Sequence, residues 1–225
     1  MGVDLMVGFR DLRQYLDALR RADDLVEISV PVDPKLELPE IHRRVIASEG
    51  PALYFSNVLG SPYPVVTNLF GTTDRVDLAF GTDGKELLSR VASLPERILP
   101  PSIGKLWAER GLFGRLARVG LRTKRDAPVS EVVESPPRLS ELPALTTWKL
   151  DGGPFITLPL VYTEHPDSGI PNLGMYRIQI FSDTTTGLHM QIGKGGGFHL
   201  KRAAERGVPL PVVINVGGPP AAILS

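Results

Sequence analysis

Cysteine is absent from these 225 residues. That absence excludes a thiolate nucleophile, Cys-ligated zinc, an iron–sulfur cluster and a redox dithiol as the basis of the chain's chemistry. Nor is a disulfide needed, since a chain of this size buries about 70% of the surface its unfolded form exposes. Long apolar runs are missing too: no window approaches ~18 consecutive apolar residues, and Met1–Gly8 lacks the basic and apolar stretches of a signal peptide. Met6 stands where lipidation at Gly2 would want Ser or Thr. Neither charge sign is in excess, with 25 Lys and Arg against 25 Asp and Glu. The expectation is a cytoplasmic globular protein of one or two domains with no membrane partner.

What charge there is lies unevenly. Between residues 101 and 125, Lys105, Arg110, Arg115, Arg118, Arg122, Lys124 and Arg125 are opposed by Glu109 alone, and acidic groups dominate from residue 126. These cations alternate with Leu106, Trp107, Leu112, Phe113, Leu116 and Val119, the pattern of helices with one packed and one solvated face. Without an aromatic-basic signature or a helix-turn-helix pattern, nucleic acid is not an expected partner.

The change near residue 126 divides the chain into an α/β domain with a basic helical linker (1–125) and a mainly β domain (126–225). In the first, Phe9, Leu12, Leu16 and Leu19 share a helical face, and Val26, Ile28 and Val30 alternate as a strand. A helix is expected near Pro39, short strands at Ala52–Phe55 and Pro64–Thr67, and helices from about Asp74 and about Lys85. In the second, Pro154–Thr163, Asn172–Phe181 and Leu188–Ile192 read as strands. The turn Asp183–Gly187 makes a hairpin of the last two. A helix over Phe198–Glu205, ended by Gly207, and a strand over Leu210–Val216 follow.

Two constellations carry possible chemistry. Strand alternation puts Met175, Arg177, Gln179 and Phe181 on one face and places His189 with Gln191 on the neighbouring strand. A mid-strand arginine needs an anion, water or an acidic partner, and the sequence leaves that choice open. The second is Gly193-Lys194-Gly195-Gly196-Gly197 ahead of a helix, where backbone amides, the helix N-terminus and the Lys194 charge together suit an oxyanion. It is neither a Walker A loop nor a dinucleotide fingerprint, and a tight turn is the alternative. The four histidines have no metal-ligand spacing, and His42 and His165 read as surface residues.

These segments carry a resemblance. Ile156–Val161, Asp167–Arg177, Thr186–Gln191 and Lys194–Gly197, preceded by Asp11–Leu16, Asn57–Ser61 and Pro64–Thr72, are similar in order to the UbiD family of decarboxylases. The resemblance implies a split β-barrel after the α/β domain, incomplete at its C-terminal end. It implies prenylated FMN as cofactor, supplied by a flavin prenyltransferase, with a divalent metal (manganese) and a monovalent cation. The substrate it implies is an aromatic or α,β-unsaturated carboxylic acid, which loses CO2 and is protonated by an acidic residue. Matched residue by residue, Asn172 falls on a metal ligand. Met175, Tyr176, Arg177, His189, Met190, Gln191, Lys194 and Gly195 fall on the cofactor site, and Arg177 also meets the substrate carboxylate. Gly193 departs from the family, which has a metal-binding His there, unless His189 or His199 substitutes. The family's acidic ligand and acid/base carboxylates lie beyond Ser225. The expectation is therefore a lyase inactive by itself, working as a homo-oligomer or with a complementary C-terminal subunit. The alternative is a non-catalytic flavin-binding or scaffold subunit.

Overall fold

A computed structural model describes residues 8–81, 89–116, 127–191 and 193–224. The helix expected near Lys85, the basic residues Arg118, Arg122, Lys124 and Arg125, and Ile192 lie outside the described residues.

Helix α1 (Leu12–Arg21) starts where Asp11 accepts a 2.9 Å hydrogen bond from the Gln14 amide and ends on Arg20 and Arg21. That arrangement suits the helix dipole. Its apolar stripe buries Tyr15, Leu16 and Leu19 against Ala52, Leu69 and Ala79, each large side chain contributing about 2 kcal/mol. Strand β1 (Leu25–Ile28) pairs in parallel with β2 (Ala52–Phe55), and the crossover between them is α2 (Glu37–Ala47). Val30 lies beyond β1 and is exposed. Pro39 sits in the first turn of α2, where amides lack intrahelical partners anyway. Strand β3 (Val65–Thr67) completes this sheet antiparallel to β2. Helix α3 (Thr73–Phe80), capped by Thr72, buries Arg75, whose Nη1 donates to Asp24 at 2.7 Å.

The basic region gives short helices α4 (Leu94–Ile98), α5 (Ile103–Ala108) and α6 (Arg110–Leu116). Leu112 is buried as the periodicity requires, but Ile103, Leu106, Trp107 and Phe113 are exposed. Two-faced packing is therefore only partly realised among the described residues, where α5 packs on α4 and α6.

Among the described residues the second half holds two three-stranded sheets, with orders β4–β7–β8 and β6–β5–β9. The run expected as one strand over Pro154–Thr163 is two, β4 (Phe155–Ile156) and β5 (Leu160–Glu164), in different sheets. Pro159, which has no amide hydrogen to donate, lies at the break. The run over Asn172–Phe181 likewise divides at Tyr176 and Arg177 into β6 (Pro171–Met175) and β7 (Ile178–Ile180). The hairpin is present, with β8 (Thr186–Leu188) in register Ile180 to Thr186 and Ile178 to Leu188. Strand β8 ends at Leu188, so His189, Met190 and Gln191 follow the strand rather than belonging to it. Helix α7 (Gly195–Glu205) begins three residues before the expected Phe198 and packs on β5 and β6. Strand β9 (Val212–Asn215) pairs with β5, and α8 (Pro220–Leu224) returns to α3.

The halves are stitched together through residues 141–147. Leu145 packs with Val32, Leu38 and Phe55, the Leu36 amide donates to Thr146 O at 3.0 Å, and Ser61 Oγ donates to Glu141 O at 2.6 Å. Among the described residues no helix is long and apolar enough to cross a membrane.

Candidate active site

Tyr176 sits where the chain leaves one sheet for the other. Gly174 permits this, because a Cβ there would stand 2.8 Å from the Tyr176 ring. The ring packs with Val161 and Ile178, and Met190 lies against the same cluster. Its buried hydroxyl accepts a 3.0 Å hydrogen bond from the Gly196 amide, and Asn172 Nδ2 approaches it at 3.5 Å.

Gly195 and Gly196 owe their identity to this close packing. A Cβ on Gly195 would lie 1.9 Å from Asn172 Oδ1, and one on Gly196 would lie 2.9 Å from the Tyr176 hydroxyl. The triglycine is thus the first turn of a helix pressed against β6, not a loop preceding it. Lys194, with extended backbone, is the N-cap residue and is exposed. Asn172, Tyr176, Met190, Gly195 and Gly196 therefore meet, with Lys194 at their edge.

Arg177 lies apart from that group. Its Nη1 and Nη2 donate to Asp151 Oδ1 and Oδ2 at 3.2 and 2.8 Å, and its guanidinium carbon stands 3.7 Å from the centre of the Phe155 ring. The arginine's choice, open in the sequence, is an ion pair with Asp151. Asp151 is anchored in turn by the Thr147 and Trp148 amides, which donate to its Oδ2 at 3.0 and 3.1 Å. The Arg177 hydrogen bonds, aided by those amides, hold the Asp151 carboxyl below its usual range. Gln179 Nε2 donates to Gly152 O at 2.6 Å, so Arg177 and Gln179 do reach one segment, 151–153. Among the described residues, no side-chain hydrogen bond ties His189, Gln191 or Met175 to that segment.

His42 and His165, expected at the surface, are both half-buried, and a third histidine is buried outright. His199, on α7, is 6% exposed and shares a 2.9 Å hydrogen bond with buried Thr163. The half-buried His165 ring meets it edge-on, 5.4 Å between centroids. Burial first, and His165 second, push the His199 pKa down. His42 is half-buried in α2, and burial lowers its pKa as well.

Cavities of about 670 and 480 Å3 lie elsewhere, the first bordered by Leu36, His42 and Trp148, the second by Leu69, Leu142 and Phe155. None of the cofactor or metal residues expected from the sequence lines either. Asp151 and Phe155 are the residues that sequence reasoning missed. The only signal was an acid just before Gly152-Gly153 and the β-rich run.

The donor set suits an anionic cofactor at the start of α7, where Lys194 is exposed and no Asp or Glu occurs from Thr184 to Ala204, whereas Lys201 and Arg202 further along the helix are already paired with Glu205 and Asp167. A divalent metal is not matched. Among the described residues no three His, Asp or Glu side chains group to hold one, and Asn172 faces Tyr176 and Gly195.

An α/β unit followed by two small sheets carries this cluster. Residues 121–225 match the 3-octaprenyl-4-hydroxybenzoate carboxy-lyase Rift-related domain, and residues 16–94 match the N-terminal domain of that enzyme. The chain belongs to the UbiD family. It is 50% identical over 215 residues to a protein of Chlamydia trachomatis serovar D, covering 95% of this chain and 37% of that protein. It is 48% identical over 214 residues to one named subunit of the 4-hydroxybenzoate decarboxylase of Chlamydia pneumoniae, covering 95% of this chain and 36% of the relative. The chain thus spans well under half the length of these relatives. In fold it is similar to the UbiD-class enzyme HmfF of Pelotomaculum thermopropionicum, solved in complex with FMN, with TM-score 0.74, 25% identity, and coverage of 94% of this chain and 43% of that one. The closed form of Sedimentibacter hydroxybenzoicus vanillic acid decarboxylase superposes with TM-score 0.76 at 23% identity, covering 96% and 44%.

Proposed function

We propose that this chain supplies the cofactor-holding part of a UbiD-type decarboxylase that uses prenylated FMN to remove CO2 from an aromatic or α,β-unsaturated carboxylic acid. The observation that carries the reading is the convergence of Asn172, Tyr176 and the Gly195–Gly196 turn, with Lys194 exposed at its rim, on the strand that leads to Arg177. Met175, His189, Met190 and Gln191 complete the proposed cofactor wall, and the two small sheets would form part of a split barrel.

When bound, the flavin supplies an electron sink for the carbanion left by CO2. The chain's own residues do the rest. Lys194 and the first turn of α7 attract the cofactor's phosphate. Arg177, a planar fork of donors, grips the substrate carboxylate and fixes its orientation. The acid that returns the proton is not in the 184–204 segment, which has no Asp or Glu, and Asp151 is already paired with Arg177. We propose that another segment or a complementary subunit brings it. The Chlamydia pneumoniae relative is named as one subunit of its decarboxylase, which supports that partner.

The test is cofactor retention. Full-length protein co-produced with a flavin prenyltransferase should purify with a flavin-like absorbance band, and Lys194→Glu should lose most of it. Wild-type protein purifying without flavin would contradict the reading. Activity gained only when a C-terminal polypeptide is added would fit a complementary subunit that brings the acid, and a flavin-loaded protein that shows no turnover with or without it would favour a non-catalytic flavin-binding or scaffold subunit.

A further inference from the structure

Arg177 is held from two directions by residues to which neither the family resemblance nor the comparisons assign a part. One edge of the guanidinium donates two hydrogen bonds to Asp151, at 3.2 and 2.8 Å. One face lies 3.7 Å from the centre of the Phe155 ring, close enough for a strong cation–π contact. Yet the arginine side chain is 41% exposed, against 10% for Asp151. The acid is therefore the fixed member of the pair. Its Oδ2 also accepts from the Thr147 and Trp148 amides, so the turn between residues 147 and 151 locks the carboxylate in place.

A free arginine side chain has rotamer entropy that a ligand must overcome on binding. With one edge and one face already held, that entropy is lost on folding instead. The side chain nonetheless remains 41% exposed, so the donors not used by Asp151 can still meet a ligand carboxylate in the guanidinium plane. Pre-organisation of this kind raises affinity without any contact between Asp151 and the ligand.

We infer that Asp151 and Phe155 are positioning residues that orient Arg177 for a planar carboxylate, making the 147–155 segment a determinant of how the acid substrate binds. The inference rests on the proposed reading of Arg177 as the carboxylate-binding residue.

The test is calorimetric titration of 4-hydroxybenzoate into the full-length, flavin-loaded protein, alongside thermal melting of each variant. Arg177→Ala should weaken binding at least about tenfold. Asp151→Asn keeps an acceptor for the turn amides but loses the charge, and should weaken binding by about the same factor while melting within a few degrees of wild type. Asp151→Glu should recover part of the affinity. Phe155→Leu leaves the 147–151 turn untouched, and should weaken binding severalfold even if the Asp151 variants fail to fold. Weakened binding in Arg177→Ala with wild-type affinity in both Asp151→Asn and Phe155→Leu would overturn the inference and leave the reading of Arg177 intact. Wild-type affinity in Arg177→Ala would overturn that reading, and the inference with it.

Discussion

The Tyr176 hydroxyl accepts a 3.0 Å hydrogen bond from the Gly196 amide, joining the crossing between two sheets to the first turn of α7. One side chain thereby fixes where a strand run breaks and where a glycine-rich helix begins. The amide it satisfies is one of those that a helix N-terminus leaves without an intrahelical partner.

Tyr176→Phe removes that acceptor while preserving the ring's packing with Val161 and Ile178. The buried amide then lacks its partner, which costs about 1–3 kcal/mol. Urea denaturation should report a loss in that range, and the Gly196 amide should exchange its hydrogen faster than in wild type.

At Gly195, alanine brings a methyl to 1.9 Å from Asn172 Oδ1, so either β6 or the helix turn must move. Gly195→Ala should lower the melting temperature and reduce flavin retention together. Gly104→Ala is the control: on α5 a Cβ meets nothing within 4 Å. Relief of glycine's helix penalty should there leave stability unchanged or raise it by up to about 1 kcal/mol.

Acid should loosen the dock of α7. His199 has its pKa lowered in the fold, so the unfolded chain binds a proton at higher pH than the native one does. The stabilisation is complete above the unfolded histidine value of about 6.5 and is lost as pH falls below it. The cluster also contains His165, and Asp167 with its partners Arg202 and Arg206. Asp167 is held below its usual carboxylate range, chiefly by Arg202, so it titrates at more acidic pH. Denaturant midpoints measured from pH 7.5 to 5.5 should fall for wild type and fall less for His199→Asn. Equal slopes would assign the acid sensitivity to another group.

Much of this is legible in the residues. The stripe of Leu12, Leu16 and Leu19 reads as a helix because periodicity is local, and the Asp183–Gly187 turn marks a hairpin because loop chemistry is local too. Which sheet a strand joins is not local. Thus the runs that break at Pro159 and cross at Tyr176–Arg177 look continuous in sequence. Glycine's poor helix propensity hides the true start of α7, where close approach to Asn172 outweighs propensity. The partner of Arg177 is invisible for a similar reason: Asp151 lies 26 residues away, and only tertiary structure brings the two together.

That Arg177 and the Tyr176–Gly196 turn serve a flavin-dependent decarboxylase is tested by CO2 release from 4-hydroxybenzoate and related aromatic or cinnamate-type acids, using the full-length, flavin-loaded protein with any complementary subunit present. Release from at least one of these acids is expected, abolished in Arg177→Ala while the variant stays folded. Undiminished release by folded Arg177→Ala, or none from any acid by the flavin-loaded wild type, would overturn the assignment.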